Sequence, residues 1–175
     1  MLFDVMHFES QNRIFILGNS GSGKTWLANA LNAHLDVKII SLDEVCWEPG
    51  GYYKRRSQDA IESDLKRISH DANWITEGVY GDLAELLFPR LTHFLWLDLD
   101  PALCSEYVST RGFENIPWMD SSEKIQSYLS HIKSYAKNSG PMSRDHHELL
   151  FNSYSGKKMV FKSRLDINKF IESFE

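Results

Sequence analysis

A chain of 175 residues has the length of one domain with one core. Its 42% hydrophobic and 25% charged content excludes global disorder. A net charge of −5, from 19 basic and 24 acidic residues, gives no overall attraction to nucleic acid or to an anionic membrane.

Two cysteines, Cys46 and Cys104, stand far apart and in no metal-binding or redox spacing, so they read as thiols of a reducing compartment. The first residues lack the basic region, apolar run and cleavage site of a secretory signal. No window reaches the ~20 apolar residues of a membrane span. A cytoplasmic protein is the expectation.

In chain order, short apolar runs alternate with helical patterns, which predicts an α/β domain built on a parallel sheet. Arg13–Leu17 is a continuous apolar run of the kind buried on both faces. A glycine-rich turn follows. The period then predicts a helix over 25–35 with Leu27, Ala30, Leu31 and His34 on one face. A second strand over 37–42 ends at Asp43. Pro49-Gly50-Gly51 opens a loop carrying Tyr52, Tyr53, Lys54, Arg55 and Arg56, and Ser57 starts a helix with Ile61, Leu65 and Ile68 inward.

The third strand, 73–76, runs into Glu77-Gly78. A short helix over 82–88 stops at Pro89. The fourth strand is 94–98, and Asp100-Pro101 has the pattern of an N-cap followed by proline at the first helical position. That helix ends near Arg111-Gly112. Residues 112–147 break the alternation: they are polar, carry Pro117 and Pro141, and contain one predicted helix over 122–135, with Asp120 and Glu123 in capping-box spacing. They read as an insertion over the active edge of the sheet. A fifth strand over 158–162 and a helix over 166–174 close the domain.

The most specific signal is Gly18-Asn19-Ser20-Gly21-Ser22-Gly23-Lys24-Thr25, which fits G-x-x-x-x-G-K-[ST], the Walker A pattern, at every position. Its glycines let the backbone turn tightly and aim several N–H groups inward. The helix that starts at its end adds a positive dipole end. Lys24 offers a charge to β- and γ-phosphates, and Thr25 a hydroxyl to Mg²⁺. A chance match has a probability of roughly 1% from average residue usage, and this match follows a strand and opens a helix.

Asp43, Glu77 and Asp98 fall at the C-terminal ends of predicted parallel strands, the edge where ligands bind in open α/β sheets. A carboxylate there can hold Mg²⁺ or take a proton from a substrate hydroxyl. Cations that could stabilise a transferring phosphoryl are Arg55, Arg56, Arg90, Arg111, Arg144 and Arg164. Arg111 and Arg144 bracket the insertion. His131, His146 and His147 have no ligand spacing and read as surface or packing residues. Trp47, Tyr52, Tyr53, Trp74, Tyr80 and Trp118 read as core or pocket wall.

Together these residues resemble the adenylate-kinase-like group of P-loop proteins, which includes nucleoside monophosphate, shikimate and gluconate kinases. A finer resemblance is to the small ATPases called DNA topology modulation protein FlaR. It runs through Gly18–Thr25, Leu42-Asp43 with Trp47 and Pro49-Gly50, Trp74-Ile75 with Glu77-Gly78 and Tyr80, Trp96-Leu97-Asp98, and Lys162-Ser163-Arg164.

The resemblance implies one P-loop domain over 1–175, a five-stranded parallel sheet flanked by helices, and a helical lid over 112–147. It implies ATP and Mg²⁺ as cofactors, Glu77-Gly78 beside the metal with Thr25, and Lys162, Ser163 and Arg164 walling the adenine. Two departures stand out. The lid region lacks the arginine-dense run of adenylate kinases, and 50–56 spells no nucleoside-monophosphate site.

The expected activity is transfer of the ATP γ-phosphoryl to a small-molecule acceptor. Lys24, Asp43, Arg111 and Arg144 form the catalytic group; Asp43, Arg55, Arg56, Glu77 and Gly78 meet the acceptor. The rival expectation is a nucleotide-hydrolysing regulator acting through a protein or nucleic-acid partner. A monomer or homodimer is compatible with either.

Overall fold

The computed structural model describes residues 11–49, 54–113 and 119–174. Strand β1 (Arg13–Gly18) leads through the glycine turn into helix α1 (Lys24–Leu35). Strand β2 (Ile39–Ser41) is followed at once by a short helix α2 (Leu42–Cys46), then by α3 (Gln58–His70), β3 (Trp74–Gly78), α4 (Gly81–Leu87) and β4 (His93–Leu97). The rest is α5 (Pro101–Arg111), α6 (Ser122–Lys133), α7 (Arg144–Ser153), β5 (Lys157–Phe161) and α8 (Arg164–Glu172).

The five strands form one sheet in the order β2-β3-β1-β4-β5, and every pairing is parallel. Successive strand residues face opposite layers. Phe15, Leu17, Trp74, Phe94 and Trp96 pack with α2, α3, α4 and Leu150 of α7. Ile14, Ile16, Ile75, Leu95 and Leu97 pack with α1, α5, α6 and α8. β3 and β4 are buried along their whole length, as is β1 from Ile14 onward, which is why β1 and most of β4 read as apolar runs, whereas β3 also buries Thr76 and Glu77.

The expected sheet and its helices are present, with local corrections. The second strand is shorter than 37–42, because the chain turns into α2 at Leu42. That five-residue helix is too short to show a helical period. On α1 the buried positions are Lys24, Leu27, Ala28 and Leu31; Ala30 is half-buried and His34 exposed. α6 is capped by Ser121, whose side chain accepts from the Lys124 N–H, and not by Asp120 with Glu123. A hydroxyl one residue nearer the helix reaches the orphan N–H directly. Ser57 and Asp100 cap α3 and α5 as expected.

The segment 112–147 contains α6, which buries Leu129 and Ile132 against the α1/α5 layer. It then hands over to α7, which the sequence pattern did not reveal and which lies in the opposite layer. Trp118 and Pro117, like Gly50, Gly51, Tyr52 and Tyr53, lie outside the described residues.

Candidate functional site

Strand register places the predicted residues along one edge. Glu77 and Gly78 pair with Ile16 and Leu17 on one side of β1, and Leu97 pairs with Gly18 on the other. Ser41 pairs with Glu77, so Asp43 sits just beyond it in the first turn of α2. Gly78 makes this approach possible: a Cβ there would meet the Leu42 Cβ at 2.8 Å.

The Gly18–Thr25 loop folds as its glycines dictate. Gly21 and Gly23 hold φ of 78° and 97°, values that side chains disfavour. A Cβ on Gly21 would meet the Cys104 carbonyl oxygen at 2.3 Å, so the loop rests directly on α5. No side chain caps α1 and its first turn holds no acidic residue, which leaves its N–H groups and dipole for an anion. Ser22 Oγ is buried and unpaired among the described residues.

Lys24 is 8% exposed and donates to the Asn19 carbonyl at 2.9 Å. It is therefore tucked into its own loop and does not face solvent. Burial holds its pKa below the usual lysine value and Arg111 lowers it further, against the raising pull of Glu77, Asp43 and Cys104. Asn19 also reaches outward, its side-chain amide donating to the Ile132 carbonyl of α6 at 3.0 Å.

Across the loop, the Thr25 hydroxyl donates to Glu77 Oε1 at 3.3 Å, and Glu77 is buried. These are two hard oxygen donors side by side. Among the described residues, no group of three His, Cys, Asp or Glu gathers to hold a metal. Next to Glu77, Asp43 Oδ1 accepts from the Tyr80 hydroxyl at 2.5 Å, and that hydroxyl accepts from Trp47 Nε1 at 2.8 Å. Burial and then the Asp43 charge push the Tyr80 pKa far up, so Tyr80 stays protonated and donates. Cys46, at the end of α2, is raised to about 12 by burial and is inert as a nucleophile at neutral pH.

The arginines divide. Arg55 is exposed, 3.5 Å from Asp82, on the segment that returns beside Trp47. Arg56 is occupied elsewhere: it donates to the Val45 carbonyl at 2.8 Å and pairs with Asp64 at 2.7 Å, bracing α2 on α3. Arg111 ends α5, exposed. Arg144, first residue of α7, gives Nε and Nη2 to the two oxygens of Asp98 at 3.0 and 2.8 Å.

Lys162 also bonds Asp98, and both cations lie over Trp96, at 5.6 Å for Arg144 and 5.4 Å for Lys162. Ser163 caps α8. Arg164 stacks on Tyr107 at 3.9 Å.

Thus Lys24, Thr25, Glu77, Gly78 and Asp43 converge, with Arg111 within electrostatic reach, whereas Arg56 and Lys162 serve local ties. Sequence reasoning missed three connections: Tyr80 to Asp43, Asn19 to α6, and the pairing of Asp98 with Arg144. The only hint was an aromatic with a polar tip, Tyr80, two residues after Gly78. It also missed a buried chain beneath α7. There Trp96 Nε1 donates to the Tyr135 hydroxyl at 3.3 Å, Tyr135 meets His147 Nδ1 at 2.6 Å, and His147 Nε2 meets the Val79 carbonyl at 3.0 Å. A carbonyl only accepts, so Nε2 carries the proton and Nδ1 accepts from Tyr135.

No known family model matches the chain. Its fold does match solved structures. Shikimate kinase from Acinetobacter baumannii, in complex with shikimate, superposes with a TM-score of 0.56 at 16% identity, over 95% of this chain and 92% of that one. A gluconokinase from Sinorhizobium meliloti gives 0.54 at 14% identity, over 95% and 91%. Deoxyadenosine kinase from M. mycoides gives 0.51 at 17% identity, over 92% and 95%. Sequence motif, strand order and these superpositions agree that the chain has the nucleotide-kinase type of P-loop fold, a five-stranded parallel sheet flanked by helices.

Proposed function

We propose that the protein is an ATP-dependent phosphotransferase acting on the hydroxyl of a small-molecule acceptor. The observation that carries this reading is the convergence of Lys24, Glu77 and Asp43 on one sheet edge, each close enough for the carboxylates to act on the Lys24 charge. The kinase character of three proteins with the same fold agrees with it.

The nucleotide phosphates lie in the Gly18–Thr25 loop. The loop amides and the start of α1 bind them, and the Lys24 ammonium leaves the Asn19 carbonyl for the β- and γ-phosphates. The adenine lies beside Lys162, Ser163 and Arg164, where the Arg164 guanidinium already stacks on Tyr107. Thr25 and Glu77 fit Mg²⁺, which takes one or two protein oxygens and completes its shell with phosphates and water. When bound, Mg²⁺ offsets negative charge on the phosphates.

The acceptor lies between Asp43, Gly78 and Arg55, with Arg56 behind it holding α2. Asp43 accepts the hydroxyl proton as the acceptor oxygen bonds to the γ-phosphorus and the bond to the β-phosphate oxygen breaks. Arg111 supplies charge from the start of the 112–147 segment, which closes as a lid over the single domain, and Arg144 adds its charge from the other end only on leaving Asp98, to which both its prongs are bound in the free protein. The finer resemblance to the FlaR-type ATPases rests on the same residues.

The test is a screen of small-molecule hydroxyl compounds with γ-labelled MgATP. Label in an acceptor, lost in Lys24→Ala, supports the proposal. Slow hydrolysis that no acceptor accelerates, together with nucleotide-dependent capture of a macromolecule, establishes a regulator instead.

A further inference from the structure

Asp43 stands in a closed circuit of hydrogen bonds. Its backbone carbonyl accepts from the Trp47 N–H at 3.1 Å, one helical turn on. The Trp47 indole donates to the Tyr80 hydroxyl at 2.8 Å, and Tyr80 donates back to Asp43 Oδ1 at 2.5 Å. The circuit joins both ends of α2 to the residue just before α4. Tyr80 is 3% exposed, so water competes little for its hydroxyl.

A surface aspartate samples its rotamers freely. This one is held at one carboxylate oxygen by a side chain that is itself held by a second donor. The direction of every bond is settled by chemistry: an indole N–H only donates, so the tyrosine oxygen receives from Trp47 and its own proton goes to Asp43.

We propose that Tyr80 is a positioning residue for phosphoryl transfer, fixing the Asp43 carboxylate so that it meets the acceptor hydroxyl. The inference rests on the phosphotransferase reading, in which Asp43 is the proton acceptor. Tyr80 itself takes no proton: in the step, the acceptor's O–H proton passes to Asp43, the new O–P bond forms and ADP leaves. A carboxylate displaced by even about 1 Å loses up to about a hundredfold in rate, so the hydroxyl of Tyr80 acts on turnover more than on nucleotide binding.

The experiment uses the full chain, γ-labelled MgATP and the small-molecule filtrate of a cell extract as the acceptor probe. Wild type, Asp43→Asn, Tyr80→Phe and the double variant are compared at saturating MgATP. Asp43→Asn is expected to lower transfer about a hundredfold, and Tyr80→Phe about tenfold, with the KM for ATP unchanged. In the Asp43→Asn background, Tyr80→Phe should cost nothing further, because its effect runs through the base. That non-additivity separates positioning from a structural tie, which would lower transfer equally in both backgrounds.

Wild-type rates in Tyr80→Phe, or equal losses in both backgrounds, overturn the role of Tyr80 and leave the phosphotransferase reading standing. Undiminished transfer in Asp43→Asn, or no transfer by wild type, overturns the reading itself and this inference with it. ADP affinity, measured on each variant by calorimetry, confirms that the compared proteins are folded.

Discussion

Arg144 and Asp98 form a two-pronged ion pair, with the guanidinium Nε at 3.0 Å and Nη2 at 2.8 Å from the two carboxylate oxygens. The Asp98 side chain is 5% exposed and that of Arg144 29%. The pair joins the end of β4 to the start of α7, and so ties the sheet edge to the return of the 112–147 segment. The bond to Asp98 holds the Arg144 pKa above the usual arginine value. Asp98→Ala leaves the Arg144 and Lys162 cations facing each other over Trp96 and should lower stability by about 2 kcal/mol. Arg144→Ala leaves Lys162 on Asp98 and should cost about 1 kcal/mol. Urea unfolding of the two variants checks the order; a larger loss for Arg144→Ala removes this account.

Lys24→Ala should abolish tight ATP binding with the fold intact. The lysine is nearly buried and its ammonium is under-solvated. Phosphates supply the counter-charge that burial denies it, so the energy gained is specific to the bound nucleotide. Alanine removes a strained charge from the free protein, so unfolding stability should stay within about 1 kcal/mol of wild type or rise. Calorimetric titration with ATP and a melting curve decide the two halves separately. Unchanged affinity would remove the phosphate site from Gly18–Thr25.

His147 gives the fold an acid limit. Its pKa falls from 6.5 to about 4, chiefly through burial, although the Val79 and Pro141 carbonyls oppose the shift. Below pH 6.5 the unfolded chain binds a proton that the folded chain refuses, so stability rises with pH in this window. The contribution is fully present above pH 6.5 and is lost as pH falls through about 4, in total about 3 kcal/mol. His147→Gln should flatten that part of the stability–pH curve while lowering its plateau. Equal slopes between pH 4 and 6.5 in variant and wild type would show that His147 does not carry the effect.

The 112–147 segment is expected to close on nucleotide. Within it, α6 starts from a tied state, with Leu129 and Ile132 buried and the Asn19 amide on the Ile132 carbonyl. Hydrogen exchange with a non-hydrolysable ATP analogue should therefore add protection across the segment, with α6 the most protected part beforehand. Arg111→Ala should lower turnover about tenfold and ADP affinity about twofold, because charge grows on the transferring group. High and unchanged protection would make the segment a fixed part of the core.

Local rules were enough for much of this molecule. Strands such as β1 declare themselves as apolar runs, and the glycines of residues 18–25 specify the tight turn from β1 into α1 through backbone geometry. The edge that carries Glu77 and Asp98 followed from strand polarity. α2 and α7 stayed hidden. Five residues, Leu42–Cys46, cannot display a helical period, and the buried faces of α7 come from packing on α4 and β4. Pairings between distant residues were equally out of reach. Tyr80 meets Asp43 because β3 lies beside β2 and Gly78 lets Leu42 close in. Arg144 meets Asp98 because α7 crosses to the second layer before β5. Arg56 meets Asp64 because α3 packs beside the loop that follows α2. A sequence fixes which groups a chain owns and which local turns they favour. Only the closure of the sheet decides which of those groups meet, since contacts across dozens of residues depend on strand order and on burial, which no local spacing encodes.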